Sequence, residues 1–383
     1  MNSFPVGAAA TLDELDRDPH PLLARLRAAE PVSWLPVLDG WLVTRRDLVL
    51  AVLRDPVTFT VDDPRFSTAQ VIGPSMLSLD GPAHTRHRDP FSRAFRPAAT
   101  RERFTAFVAA EVDRLVTAIR PRGAAEIRGD LAGPLAVAVV AHALGLPEAD
   151  PATIRTWYEA FVAAISDITA GESADATAPY GELRASVEAA LAQGGPSLLA
   201  EAGRELPAAD VVADAAVLMF GGIDTTEGMI TNAVLHLLGH PGQLALVRED
   251  PARLAGTIEE SVRLEPAAAV LDRYATRDAQ LGGAAIRRGD LVRVSLAGAN
   301  RDPAVFPDPD RFDVRRGDVS KHLAFAHGPH FCFGAPLARL ETHAMLSALL
   351  DRLPGLRLDP ARAAHPRGLV FRKPAALHVL WNR

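Results

Sequence analysis

The chain has 383 residues, 48% of them hydrophobic and 23% charged, with a formal net charge of −6. An acidic surplus spread along the chain argues against a nucleic-acid footprint, and no run of about 18 apolar residues exists to cross a membrane. The N-terminal MNSFPVGAAATLDELDRDP has no basic segment followed by an apolar one, so no secretory signal is expected and the protein reads as cytoplasmic. Length alone allows two or three domains. No Ser/Gly-rich linker or charge block divides the chain, and residues 1–383 are read as one domain.

In chain order, apolar spacing predicts a short helix over Leu22–Ala29, strands at Val32–Trp34 and Trp41–Val43, and a helix over Leu48–Leu53. Asp80-Gly81-Pro82 marks a turn, and Ala83–Phe95 reads as helical despite Pro90. Helices follow over Ala106–Ile119, Leu131–Leu144 and Ile154–Ile165. Asp167–Tyr180 loses this periodicity and reads as a mobile loop or lid. The longest helical pattern runs from Asp210 to Leu238 and stops at Gly239-His240-Pro241; another covers Leu254–Leu264 before Pro266. Strands are expected near Leu281, Ala285–Ile286 and Val292–Ser295, and a long structured loop over Asn300–Arg316. A helix spans Leu337 to Leu350, and Leu369–Trp381 alternates like a hairpin around Lys373-Pro374. The fold class is mainly α with small β-sheets.

The one cysteine, Cys332, lies in Phe325-Ala326-His327-Gly328-Pro329-His330-Phe331-Cys332-Phe333-Gly334, where a loop runs into a helix. Unpaired N–H groups and the helix dipole at such a junction favour a thiolate. With no second cysteine, disulfides and cysteine-rich zinc sites are excluded. A nucleophile, a haem ligand or an ordinary buried thiol remain. A second segment, Phe220-Gly221-Gly222-Ile223-Asp224-Thr225-Thr226, sits inside the longest helix. Each glycine costs roughly 1 kcal/mol there relative to alanine, a cost met where a helix kinks or a ligand approaches closely. Asp224 beside Thr225 offers an acid next to a hydroxyl, a pairing suited to proton delivery. Glu260 and Arg263 lie three apart on one helix face, an arrangement also common on exposed helices.

Together these segments resemble the cytochrome P-450 superfamily of soluble bacterial type. Phe325, Gly328, His330, Cys332 and Gly334 match its haem-thiolate signature, with Ala326 where Gly or another small residue is usual. Gly221-Gly222-Ile223-Asp224-Thr225-Thr226 resembles its Ala/Gly-Gly-x-Asp/Glu-Thr-Thr, and Glu260-Ser261-Val262-Arg263 its Glu-x-x-Arg. His84 and Arg88 match its His-x-x-x-Arg. The resemblance implies a mostly helical domain with haem b between the long central helix and the cysteine loop. Cys332 would be the axial thiolate, pushing electron density toward O–O cleavage. His84, Arg88, Arg273 and His330 would meet the propionates, with Met76, Leu77, Gly221, Phe325 and Gly334 also against the cofactor. Phe325 would shield the sulfur. Asp224 and Thr225 would pass protons, while Glu260, Arg263 and either Arg311 or Arg316 would form a structural triad holding the ligand loop.

The activity implied is insertion of one oxygen atom from O₂ into a mostly hydrophobic small molecule, in secondary-metabolite tailoring or xenobiotic oxidation. Substrate contacts are expected from Val217, Gly221, Val270, Val370 and Phe371, with the Met76–Leu79 loop nearby. Glu227 is read as a structural partner. No flavin or iron–sulfur module is present, so a separate ferredoxin and its reductase are implied, and Arg93, Arg96 and Arg101 are candidates for a basic docking face. A monomer without nucleic-acid or membrane partners is expected. Oxidative coupling or peroxide-driven oxidation on the same fold, and a non-catalytic haem sensor, are the alternatives; the acid–alcohol pair speaks against peroxide use and against the sensor. A cysteine hydrolase would need a His-Asp/Asn partnership that His327 and His330 do not pattern.

Overall fold

A computed structural model describes residues 4–146, 150–169, 175–195 and 197–383. The architecture is mainly helical with small sheets at the margins. Its axis is a central helix, Ala208–Gly239, buried on every side over most of its length. Apolar residues occur all around it rather than along one stripe, as expected of a helix enclosed by others. Packed on it are helices Gly133–Leu144 and Leu254–Leu264 and the cysteine helix, Ala335–Arg352. The glycine pair does not interrupt it. A side chain at Gly222 would begin 2.7 Å from Val140 Cγ2 on Gly133–Leu144, so this glycine permits close helix packing.

Among the described residues, ten strands make three sheets. The strands are β1 Val32–Leu35, β2 Gly40–Val43, β3 Phe59–Thr60, β4 Ala124–Glu126, β5 Val270–Ala275, β6 Ala279–Leu281, β7 Ala284–Ile286, β8 Leu291–Ser295, β9 Arg357–Leu358 and β10 His378–Leu380. The largest sheet has the order β1-β2-β8-β5-β3, with only β2 and β8 parallel. One hydrophobic cluster fills the helical body around the central helix; another lies between the five-stranded sheet and helix Arg46–Arg54.

Most expected helices are present with longer ends. The Ala106–Ile119 pattern belongs to Pro97–Ile119, and the Ile154–Ile165 pattern to Pro151–Thr169. The histidine helix, Gly81–Ser92, accommodates Pro90 in its last turn and passes into a 3₁₀ turn over Arg93–Phe95. Two expectations need correction. Asp167–Thr169 and Thr177–Tyr180 are helical, because the flanking helices extend into the supposed lid; residues 170–174 lie outside the described residues. Leu369–Trp381 is not a hairpin around Lys373-Pro374. Arg367 bridges Lys373, Phe371 bridges Ala268, and β10 pairs instead with β4 and β9. Alternation there reports a half-buried extended chain, not its partner. No helix among the described residues is long and apolar enough to cross a membrane.

Candidate functional site

The cysteine loop is shaped by backbone geometry before chemistry enters. Cys332 N donates to Phe325 O at 2.9 Å, closing the loop on itself. Gly328 has φ +73°, and a Cβ there would fall 2.3 Å from Leu53 O, so only glycine lets the loop press onto helix Arg46–Arg54. Ala326, where the sequence departs from the family pattern, has φ +59°, a left-handed conformation that opposes an L side chain. Phe325 lies beneath the Arg339 guanidinium, 4.4 Å from its ring centroid.

Cys332 opens onto a cavity of about 310 Å³ whose wall also includes Met76, Leu77, Arg88, Gly221, Thr225 and Arg273. Burial pushes the thiol pKa up. The N–H groups of Gly334 and Ala335 and the Arg88 charge oppose that rise without reversing it. The sequence expectation of a helix-start thiolate is thus half met: the donors are there, and burial outweighs them.

Of the four expected carboxylate partners, Arg88, Arg273 and His330 line the cavity, and His84 packs against His330 without lining it. His330 Nε2 lies 2.9 Å from Asp80 Oδ1 and its ring 4.3 Å from the His84 ring. His84 is buried, its Nε2 has no hydrogen-bond partner among the described residues, and burial followed by the nearby His330 and Arg88 charges lowers its pKa to about 4. Arg88 donates to Phe331 O and lies 4.9 Å over the Phe333 ring. Arg273 comes from β5; burial lowers its pKa to about 10.

The central helix supplies another wall. Gly221 has no atom within 4 Å of where a Cβ would stand, so its bareness widens the cavity. Thr225 also lines the cavity, its Oγ1 donating to Gly221 O at 2.5 Å. Asp224 points elsewhere. Its Oδ1 accepts from Tyr158 Oη at 2.5 Å and from Lys373 Nζ at 2.7 Å. Lys373 also reaches Glu227 Oε1 at 2.7 Å, and Arg128 donates to the same oxygen. Glu227 is therefore a structural partner as expected, in a cluster whose other members the sequence reading missed. Burial and the Asp224 charge push the Tyr158 pKa well up, keeping the phenol a donor.

Glu341 was also missed. It lines the cavity from the cysteine helix, Oε2 has no partner among the described residues, and burial pushes its carboxyl pKa well above the ordinary value. Its signal was a Glu between Leu337 and Met345 at i, i+4 spacing on a buried face.

Of the five expected substrate contacts, Val217 and Gly221 line the cavity, whereas Val270, Val370 and Phe371 do not. Val270 belongs to a small core with Leu22 and Leu26. The strand period of two sends Leu271 to the cavity and Val270 away. Val370 O accepts from Ala269 N, and Phe371 meets Phe220 edge-on at 5.4 Å, one layer behind Ala268 on the wall.

The scaffold triad is resolved in favour of Arg316. Its Nε reaches Glu260 Oε1 at 3.0 Å, whereas Arg311 turns outward to Asp313 and contributes its carbonyl. Among the docking candidates, Arg93 is held by Glu205 at 2.7 and 2.9 Å; Arg96 and Arg101 are exposed.

A haem brings two carboxylates and an axial position. The orphaned His84 Nε2, the adjoining Arg88, Arg273 and His330, and a sulfur facing the same cavity fit that donor set. Comparison with known proteins agrees. The Cytochrome P450 family model matches residues 192–354. Cytochrome P450 monooxygenase PikC of Streptomyces venezuelae is 38% identical, the alignment covering 96% of this chain and 92% of that protein. Mycinamicin IV hydroxylase/epoxidase of Micromonospora griseorubida is 33% identical over 93% of this chain and 94% of its own length. The crystal structure of CalO2 superposes with a TM-score of 0.87 at 34% identity, covering 97% of this chain and 98% of that one. The chain belongs to the cytochrome P450 family and is a haem-thiolate monooxygenase.

Proposed function

We propose that this is a cytoplasmic P450 that oxidises a mostly hydrophobic, uncharged organic molecule, and that the Cys332 thiolate would hold the iron of haem b. The observation that carries the ligand assignment is the meeting, in one cavity, of the sole cysteine with Gly221, Thr225, Arg88, Arg273 and His330, with the orphaned His84 packed on His330. When bound, the haem supplies reductive activation of O₂, consuming two electrons and two protons as one oxygen atom enters the substrate and the other leaves as water.

The chain's own residues supply the rest. Gly334 and Ala335 N–H groups steady the sulfur. His84, Arg88, Arg273 and His330 orient the carboxylates. Thr225 Oγ1 holds a proton at the cavity face, and Asp224, steadied by the Tyr158 hydrogen bond, takes protons from the Lys373 side of the central helix. Val61, Phe66, Val217, Leu218, Leu271 and Leu296 exclude water and offer no charge to a substrate. The kinship with oxygenases named for mycinamicin and similar molecules supports a tailoring role in secondary metabolism. Electrons are assigned to a separate ferredoxin and reductase, docking where Arg96 and Arg101 are exposed.

Reconstitution with haem and the reduced carbon-monoxide spectrum test the ligand. A thiolate-type spectrum is expected from the wild type and its loss from Cys332→Ser; a wild-type spectrum in that variant overturns the assignment. Thr225→Ala is expected to bind haem and divert electrons to hydrogen peroxide, and unchanged coupling in it removes the relay.

A further inference from the structure

The carboxylate of Asp214 sits two turns before Gly221 on the central helix, with 0% of the residue exposed. Its Oδ1 accepts from Met76 N at 2.8 Å, and its Oδ2 lies 2.9 Å from His87 Nδ1. Met76 and Leu77 line the cavity. His87 belongs to the histidine helix, between His84 and Arg88 on one side and the central helix on the other. One buried carboxylate thus ties together three walls: the central helix, the Met76–Leu77 segment and the helix presenting the carboxylate partners.

The hydrogen bonding gives His87 a definite form. Arg86 Nη2 lies 2.9 Å from His87 Nε2 while its Nη1 reaches Asp210 Oδ2 at 2.7 Å. A guanidinium can only donate, so Nε2 accepts and the ring proton resides on Nδ1, facing Asp214. A buried carboxylate with two donors is an expensive way to fill space, because burial raises the Asp214 pKa and an apolar pair would pack without desolvation. Such a pair fixes geometry.

We propose that Asp214 and His87 are positioning residues that set the Met76–Leu77 wall and the carboxylate-binding face of the histidine helix against the central helix. This rests on the reading of His84 and Arg88 as haem-carboxylate partners. The pair acts on how tightly, and in what orientation, the cofactor is held.

The test uses the haem-loaded protein and measures haem transfer to excess apomyoglobin, visible-region circular dichroism and urea unfolding. Asp214→Asn keeps an acceptor for Met76 N and loses the one for His87; His87→Leu keeps the Met76 bond alone. Both are expected to lose haem about tenfold faster with altered visible dichroism, a 1.4 kcal/mol change. His87→Asn, whose amide can donate to Asp214, is expected to restore retention. Wild-type haem loss and dichroism in both variants, with only the urea midpoint lowered, overturn the proposal. If both variants fail to fold, the exposed Arg86→Met decides: about threefold faster loss supports the pair, and unchanged loss overturns it. A wild type that binds no haem would instead sink the cofactor reading itself.

Discussion

Two buried charge clusters flank this cavity, and they are built from different chemistry. In the Glu260 triad, Arg263 is wholly buried and uses its fork of N–H donors on both Glu260 oxygens and on the carbonyls of Asn300, Pro309 and Arg311. Glu260 also receives Asp313 N and Arg316. Every cation there is an arginine, which does not titrate in proteins. Behind the central helix, Asp224 and Glu227 instead share a lysine, with Tyr158 and Arg128 completing the set. The chain has only two lysines, Lys321 and Lys373, against 39 arginines, so this lysine stands where the composition would favour arginine. A lysine ammonium is a compact cation that can give up a proton. The first cluster is a fixed rivet for the ligand loop. The second, backing the cavity wall, rests on one flexible lysine shared between two carboxylates.

The contrast is broken most directly by removing each cation. Arg263→Ala leaves a buried carboxylate and several carbonyls unpaired, and a loss of about 3–5 kcal/mol is expected. Soluble yield and urea unfolding would report it; a normally stable variant would contradict the rivet.

The neighbouring Glu259 sharpens the same side through pH. It clasps Arg339 of the cysteine helix at 2.7 and 2.8 Å and His322 at 3.0 Å. Burial raises its carboxyl, but the Arg339 and His322 hydrogen bonds outweigh this and bring the pKa to about 2 from an ordinary 4.5. A value depressed on folding adds stability that is present above about pH 4.5 and is lost as pH falls through about 2. The gap in unfolding free energy between wild type and Glu259→Gln is therefore expected to close across that window. A gap constant from pH 6 to 2 would show that the ion pair contributes nothing.

Lys373→Met should cost less, about 2 kcal/mol, because Arg128 and Tyr158 remain on the two carboxylates. Its larger effect is expected on turnover, with product formed per electron pair falling several-fold. Unchanged coupling with a large stability loss would make this cluster a second rivet. The smallest effect concerns the loop that the triad holds. Ala326→Gly relieves a left-handed alanine, and a gain of about 1 kcal/mol is expected in thermal unfolding. A loss there would mean that the alanine methyl group contributes packing worth more than its strain.

The legible parts of the site were those whose chemistry is local in sequence. Cys332 with its glycines, Gly221–Thr226, Glu260 with Arg263, and His84 with Arg88 each lie within a few residues, and each falls on a wall or support of one cavity. What escaped was chemistry assembled across the chain. Tyr158 and Lys373 come from 66 and 149 residues away to meet Asp224, and His87 from 127 away to meet Asp214. Val270 failed for a different reason: its strand was not predicted, so the alternation that selects Leu271 could not be applied.

The sequence by itself determined the helical class, the sole thiol, the segments that surround it and the family to which they belong. Those follow from residue type and spacing, which act over one or two turns of backbone. Tertiary structure alone decided that Arg316 rather than Arg311 completes the triad, that Asp224 turns from the cavity toward Lys373, and that burial works against the Cys332 thiolate. Those depend on which side chains share a dielectric and a hydrogen bond, and distant segments meet only in the folded chain.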